Sequence, residues 1–185
     1  CSPDRQEDVA ACERLAEIRP VDAAPAASLS NADIVFALAQ RGEDFEPTPL
    51  VVLQRDGSVF VERNGALVRV AISASDTRRA ADCVASPAFS QLADAYNLRA
   101  APEAAAALGR PGTMIARGPV AGDEKVVFVI SDCQDPDAGC FRSLPQPVRS
   151  LIELGQSLER AGRSRGEVVG RAPRSPDLGV GFPSG

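Results

Sequence analysis

Asp132, Asp135 and Asp137, with Gly139 just beyond them, form the densest group of potential metal ligands in the chain. Carboxylates at alternate positions suit a hard cation such as calcium. The group lacks a third alternate acidic position and a distal glutamate to close the shell. Aspartate, proline and glycine are also ordinary turn residues. A solvated turn is therefore the expectation, calcium ligation the alternative, and no cofactor is expected. Asp123-Glu124 reads as the wet turn before a strand, and Arg78-Arg79 as the solvent face of a helix. Arg163, Arg165, Arg171 and Arg174 read as a solubilising tail that could touch anionic polymers through charge alone.

The residues that are missing narrow the chemistry further. There is no histidine among the 185 residues, so Ser-His-Asp and Cys-His catalysis and His-ligated zinc are excluded. The one lysine, Lys125, follows Asp123 and Glu124 in a turn, which is a poor setting for a Ser-Lys pair. Two carboxylates alone suffice for glycoside hydrolysis, but sugar sites use aromatic platforms and Phe, Trp and Tyr total only 4%. No P-loop or dinucleotide fingerprint is present. A net charge of −5 does not suggest nucleic acid, whose affinity comes from neutralising phosphates. The expectation is a protein that is not an enzyme.

The five cysteines divide as one and four. The sequence starts at Cys1, and Cys1-Ser2-Pro3-Asp4 followed by a polar stretch resembles what lipoprotein processing leaves, with the lipid on the cysteine; an arbitrary starting point is the alternative. Ser2 stands in the position that sorts such proteins to the outer membrane. The expectation is a membrane anchor at Cys1, reached through a signal peptide, in the periplasm of a bacterial envelope. Cys12, Cys83, Cys133 and Cys140 allow three disulfide connectivities. Cys133 and Cys140 bracket a turn-rich loop that could close on itself, which leaves Cys12 with Cys83. Four buried free thiols are the alternative.

The elements that must hold these residues follow from periodicity. Val9, Cys12, Leu15 and Ile18 recur at helical spacing, predicting a helix over 4–19 stopped by Pro20, then an Ala/Pro linker over 20–30. Residues 33–39 read as a strand, with a short helix capped by Asn31 as the alternative. Leu50–Arg55, Ser58–Arg63 and Ala66–Ile72 read as three strands joined by Asp56-Gly57 and Asn64-Gly65, the pairs favoured in type I′ hairpins. Two-residue turns pair Val61 with Val68 and Val59 with Val70. They also pair Val52 with Val61 and Leu53 with Phe60, so that Val52, Val61 and Val68 share one face. Ser73 or Ser75 caps a helix through Ser86, and Phe89, Leu92 and Tyr96 close over the sheet edge. Residues 99–112 read as a mobile loop. Strands follow at Thr113–Arg117 and Lys125–Ser131, then a helix from Pro145 to Arg160 ended by Gly162.

These elements make an α+β fold: an antiparallel β-meander of five or six strands packed by two main helices, plus the N-terminal helix. The expected organisation is an anchor region with helix and linker over 1–30, one domain over 31–162, and a disordered tail over 163–185.

Leu50-Val-Val-Leu-Gln-Arg-Asp56-Gly57-Ser58-Val59-Phe60 feeds a strand into a D-G-[ST]-V hairpin. A third strand, a helix, the segment Phe89, Leu92, Tyr96, two more strands and a proline-started helix from Pro145 follow. Over about residues 45–160 this order resembles uncharacterised bacterial envelope lipoprotein domains, although the Ala-rich stretch at 100–110 departs from their pattern. The resemblance implies a fold and a location but no activity. The functional expectation is an envelope lipoprotein that binds or scaffolds an envelope protein. The alternatives are an inhibitor or sensor domain presenting a β-face or the 99–112 loop to a partner, and a carboxylate-only hydrolase.

Overall fold

The computed structural model describes residues 10–22, 29–41, 47–97, 112–130 and 140–171. For residues 41, 47–50, 97, 140 and 141 it describes the backbone alone. Eight strands form one sheet: β1 (Ile34–Arg41), β2 (Pro47–Gln54), β3 (Ser58–Arg63), β4 (Ala66–Ala71), β5 (Ala95–Asn97), β6 (Gly112–Arg117), β7 (Lys125–Ile130) and β8 (Glu167–Arg171). Their order is β5-β7-β6-β1-β2-β3-β4-β8, with every neighbouring pair antiparallel except β5 with β7. The helices are α1 (Ala74–Ala85), the single turn α2 (Pro87–Ser90) and α3 (Gln146–Arg165). The fold is α+β, and β1 to β4 form the expected meander. The sheet is wider than five or six strands, because β5 and β8 add an edge on each side.

The two hairpins of the meander differ in a way that resets its register. Asn64 and Gly65 both have positive φ, at 52° and 80°, as a type I′ turn requires. The β3–β4 register is the expected one, Val61 with Val68 and Val59 with Val70. At the first turn only Gly57 has positive φ, at 89°, and its N–H donates to the carbonyl of Gln54. That is a three-residue loop, a type I turn closed by a glycine bulge. The expected pairs of Val52 with Val61 and Leu53 with Phe60 are therefore corrected by one residue. Val51 faces Val61, Val52 faces Phe60, and Leu53 faces Val59. Val51, not Val52, joins Val61 and Val68 on the helix-covered face, while Val52 lies with Phe60 on the other. Asp56 fixes the bulge by accepting from the Ser58 N–H (2.9 Å) and hydroxyl (3.0 Å).

All three helices pack on one face of this sheet, over Val35, Phe36, Leu38, Val61, Val68 and Ile115. Ser73 caps α1 by accepting from the Asp76 N–H, and Ala80, Cys83 and Val84 point inward as expected. Pro87 ends α1 but also opens α2, and Tyr96 lies in β5 and not in a turn. The opposite face carries Ile34, Ala37, Val52, Phe60, Ala116, Met114 and Phe128, none more than 7% exposed. With both faces buried along β1 and most of β7, these strands read as continuous apolar runs, which is what interior strands require.

Three further expectations are corrected. The N-terminal helix does not run to 19: Ala10 and Ala11 are helical, Arg14 is left-handed at φ 59°, and Leu15–Glu17 is a 3₁₀ turn. Cys12, Leu15 and Ile18 recur every three residues, the 3₁₀ repeat, and all three are buried in the core. Helix α3 does not stop at Gly162, because that glycine faces the sheet: a Cβ there would lie 2.6 Å from Val61 Cγ2. Residues 163–171, expected in a disordered tail, finish α3 and form β8. The described domain thus takes in 10–22 and 163–171, which the sequence reading sets outside it.

Candidate functional site

Of the residues singled out by the sequence, Cys1, Asp132, Cys133, Asp135, Asp137, Arg174 and the 99–111 stretch lie outside the described residues, as does the side chain of Cys140. Cys12 and Cys83 are joined by a disulfide, with Cα atoms 4.7 Å apart and both residues fully buried. The bond ties the N-terminal segment to the inward face of α1. One turn earlier on α1, Arg79 pairs with Asp76 at 3.1 Å and donates to the carbonyl of Arg14 at 3.0 Å. It holds the left-handed turn beside the disulfide and is not simply a wet helix residue; Arg78 is exposed as expected. Asp123 and Glu124 are exposed.

At the C-terminal end of α1 sits a cation that the sequence reading passes over. Arg117 of β6 is 8% exposed. Its Nη1 donates to the carbonyl of Val84 (3.0 Å) and to Ser90 Oγ (2.7 Å), and its Nε to the carbonyl of Asp123 (2.7 Å). Its guanidinium also lies 5.8 Å from the centre of the Phe89 ring. The last carbonyls of a helix carry partial negative charge, so the end of α1 offsets part of the cost of burying this cation. Lys125 completes the corner by donating to the carbonyl of Leu92 (2.6 Å) and pairing with Asp94 (3.0 Å). Both cations are engaged in fastening α1, α2 and the 118–124 turn to the sheet.

A pair of carboxylates meets part of what a carboxylate enzyme would need. Burial pushes Glu159 of α3 above the ordinary carboxylate range, with Arg163 opposing, Glu62 of β3 reinforcing and Arg160 opposing. Glu159 is also bound to Arg163 at 2.7 Å, and Glu62 accepts the Gly65 N–H at 2.6 Å. Each is therefore engaged in holding a helix turn or a hairpin. Among the described residues no three Cys, Asp or Glu side chains gather as a metal site, and no helix is long and apolar enough to cross a membrane.

The remaining feature is an edge. Among the described residues β8 pairs with β4 alone, and all five of its residues are exposed. Beyond it along β4, Val21 bridges to Ala71. Four large apolar side chains are exposed among the described residues, and three of them, Val21, Val168 and Val169, stand on this one edge. Proteins normally protect such edges, so this concentration singles out the β8 side. No family model, curated protein or solved structure matches the chain.

Proposed function

We propose that this chain is a non-enzymatic binding domain of the bacterial envelope, stiffened by its disulfide, that engages protein through the β8 edge. The observation that carries the reading is an edge that no described strand pairs, with Val21, Val168 and Val169 exposed along it. The buried Cys12–Cys83 bond supports an oxidising compartment, since such bonds persist where thiols are not kept reduced. An anchor on Cys1 belongs to the same proposal, and labelling the full-length precursor with radioactive palmitate, with Cys1→Ser as control, tests it. The binding role is tested by cross-linking in envelope fractions with native chain and with Val168→Lys. The native chain should give a discrete adduct that the variant loses, and equal adducts would remove the edge from the proposal. The hydrolase alternative would rest on Glu62 and Glu159, and the bonds that already engage both carboxylates favour binding over it.

A further inference from the structure

Strand β8 ends a row of cations that no described carboxylate answers. Residues directly opposite one another in an antiparallel pair share a face. The pairs Arg63–Ala66 and Ala66–Arg171 therefore set Arg63, Ala66 and Arg171 in one row across β3, β4 and β8. The row is on the helix-covered face, because Arg63 Nη1 donates to the carbonyl of Arg163 in the last turn of α3 (3.1 Å). Two strand spacings put the Arg63 and Arg171 backbones about 10 Å apart, with only the small Ala66 between them. The next row on that face is Val61, Val68 and Val168, and it ends on a valine that is 56% exposed. The nearby acids are committed elsewhere. Glu159 pairs with Arg163, Glu62 accepts the Gly65 N–H and stands opposite Leu67 on the other face, and Glu167 stands opposite Arg69, also on that other face. Among the described residues no carboxylate pairs with Arg63, Arg165 or Arg171, in a chain whose net charge is −5.

We infer that the β8 edge takes an extended acidic segment of a protein partner as a further strand, with a partner carboxylate on Arg171 and an apolar partner residue on Val168. This names the partner's chemistry for the binding role proposed above and rests on it. When a strand is added to a sheet edge, main-chain hydrogen bonds hold it and alternate side chains select it. The outer side of β8, which no described strand pairs, presents both N–H and C=O groups. A peptide backbone answers both, whereas the phosphates of a lipid surface only accept. Charge on an edge blocks indiscriminate pairing, so this edge selects a segment of opposite sign, and the planar fork of arginine matches a carboxylate. The excess acidic groups elsewhere on the chain oppose this little, since exposed charges are screened beyond about 10 Å in physiological salt.

Fluorescence anisotropy on the whole chain tests the inference. The probe is a labelled, end-blocked peptide of about eight alternating Val and Glu residues, within the usual range of strand lengths. The matching Val-Lys peptide and phosphatidylglycerol vesicles are the comparisons. With the chain taken to about 1 mM, the range of weak association, the Val-Glu peptide should bind about tenfold or more tighter than the Val-Lys peptide. Arg171→Glu, at an exposed position, should weaken binding of the Val-Glu peptide about tenfold and strengthen that of the Val-Lys peptide. N-methylating every residue of the Val-Glu peptide keeps its charges, removes its main-chain donors and should abolish binding. Circular dichroism confirms that the variant folds. Absence of binding, equal affinity for the two peptides, an Arg171→Glu chain that binds as the native does, retained binding after N-methylation, or Arg171-dependent binding of the vesicles without the peptide would each overturn it. Loss of the envelope adduct in Val168→Lys with no preference for the Val-Glu peptide would sink this inference alone and leave the binding role standing.

Discussion

Replacing Gly162 by alanine sets two effects of similar size against each other, and the structure decides between them. In an exposed helix interior the change gains about 1 kcal/mol, because alanine loses less backbone entropy than glycine. Here the new Cβ would lie 2.6 Å from Val61 Cγ2, 2.7 Å from Val61 Cβ and 3.1 Å from Val61 Cγ1. Overpacking of this kind costs roughly 1–3 kcal/mol. The upper part of that range applies, because Val61 is β-branched and its Cβ is fixed to a strand paired on both sides. The expected net effect is a loss of about 1–2 kcal/mol, the overpacking cost less the helix gain. Gly155 provides the internal control. A Cβ there meets Leu38 Cδ1 and Cδ2 at 2.9 Å, the far end of a side chain that can rotate, so Gly155→Ala should be near neutral. Urea unfolding with unchanged m-value measures both. Combining Gly162→Ala with Val61→Ala should lose less than the two changes summed, by about 1 kcal/mol of coupling. If Gly162→Ala stabilises the protein, or the coupling is zero, the helix does not approach the sheet through Gly162 and the packing argument fails.

Reducing the Cys12–Cys83 bond releases a constraint spanning 71 residues, worth about 4.4 kcal/mol in the chain-entropy account. The urea midpoint should fall sharply with reductant, and identical curves would show that the thiols are not bridged. Arg117→Leu leaves the carbonyls of Val84 and Asp123 without their donor and should cost about 3 kcal/mol in thermal unfolding, with Arg117→Lys recovering only part because it lacks the planar fork. A loss below a few tenths of a kcal/mol would show that Arg117 does not fasten α1. Glu159 is raised above its unfolded value, so its contribution is complete at pH below about 4.5 and is lost as pH rises through the folded value. Glu159→Gln should therefore help the protein more at neutral pH than at pH 4, and a gain confined to acid would reverse the sign argument.

The turn chemistry of the meander was legible only where the turn left a single solution. Asn64-Gly65 joins strands whose inward valines alternate with Glu62 and Arg69, so polarity and turn type agree on one register. Asp56-Gly57 follows Leu50-Val-Val-Leu, which is apolar at every position. Because Val51 and Val52 are both buried, a shift by one residue exchanges one for the other without exposing anything. Hydrophobic patterning cannot choose between those registers, and the choice fell to Gly57. A Cβ on Gly57 would lie 2.6 Å from the carbonyl oxygen of Ile72, so the three-residue loop is set by what packs against it.

Gly162 shows the same limit on a helix. By propensity glycine is a stop signal, and beyond it the single apolar residues of 163–171 show no period. What continues the chain there is a neighbour: β4 offers a free edge, and β8 pairs with it. Arg117 and Arg79 also look like ordinary surface cations in a linear reading, since several of their partners are backbone carbonyls distant in sequence, which carry no residue identity. Strand β8 left only the β-branched pair Val168-Val169 as a trace, in a segment that reads as tail.

The amino-acid sequence by itself determined the α+β class, the second hairpin, the cap of α1 and the exclusion of histidine chemistry. These depend on local geometry and residue type, which act over a few residues. Tertiary structure alone decided the first hairpin's register, the passage of α3 beyond Gly162, the burial of Arg117 and the pairing of β8 with β4. Each of those depends on which surfaces meet, and distant packing sets that without leaving a local periodicity to read.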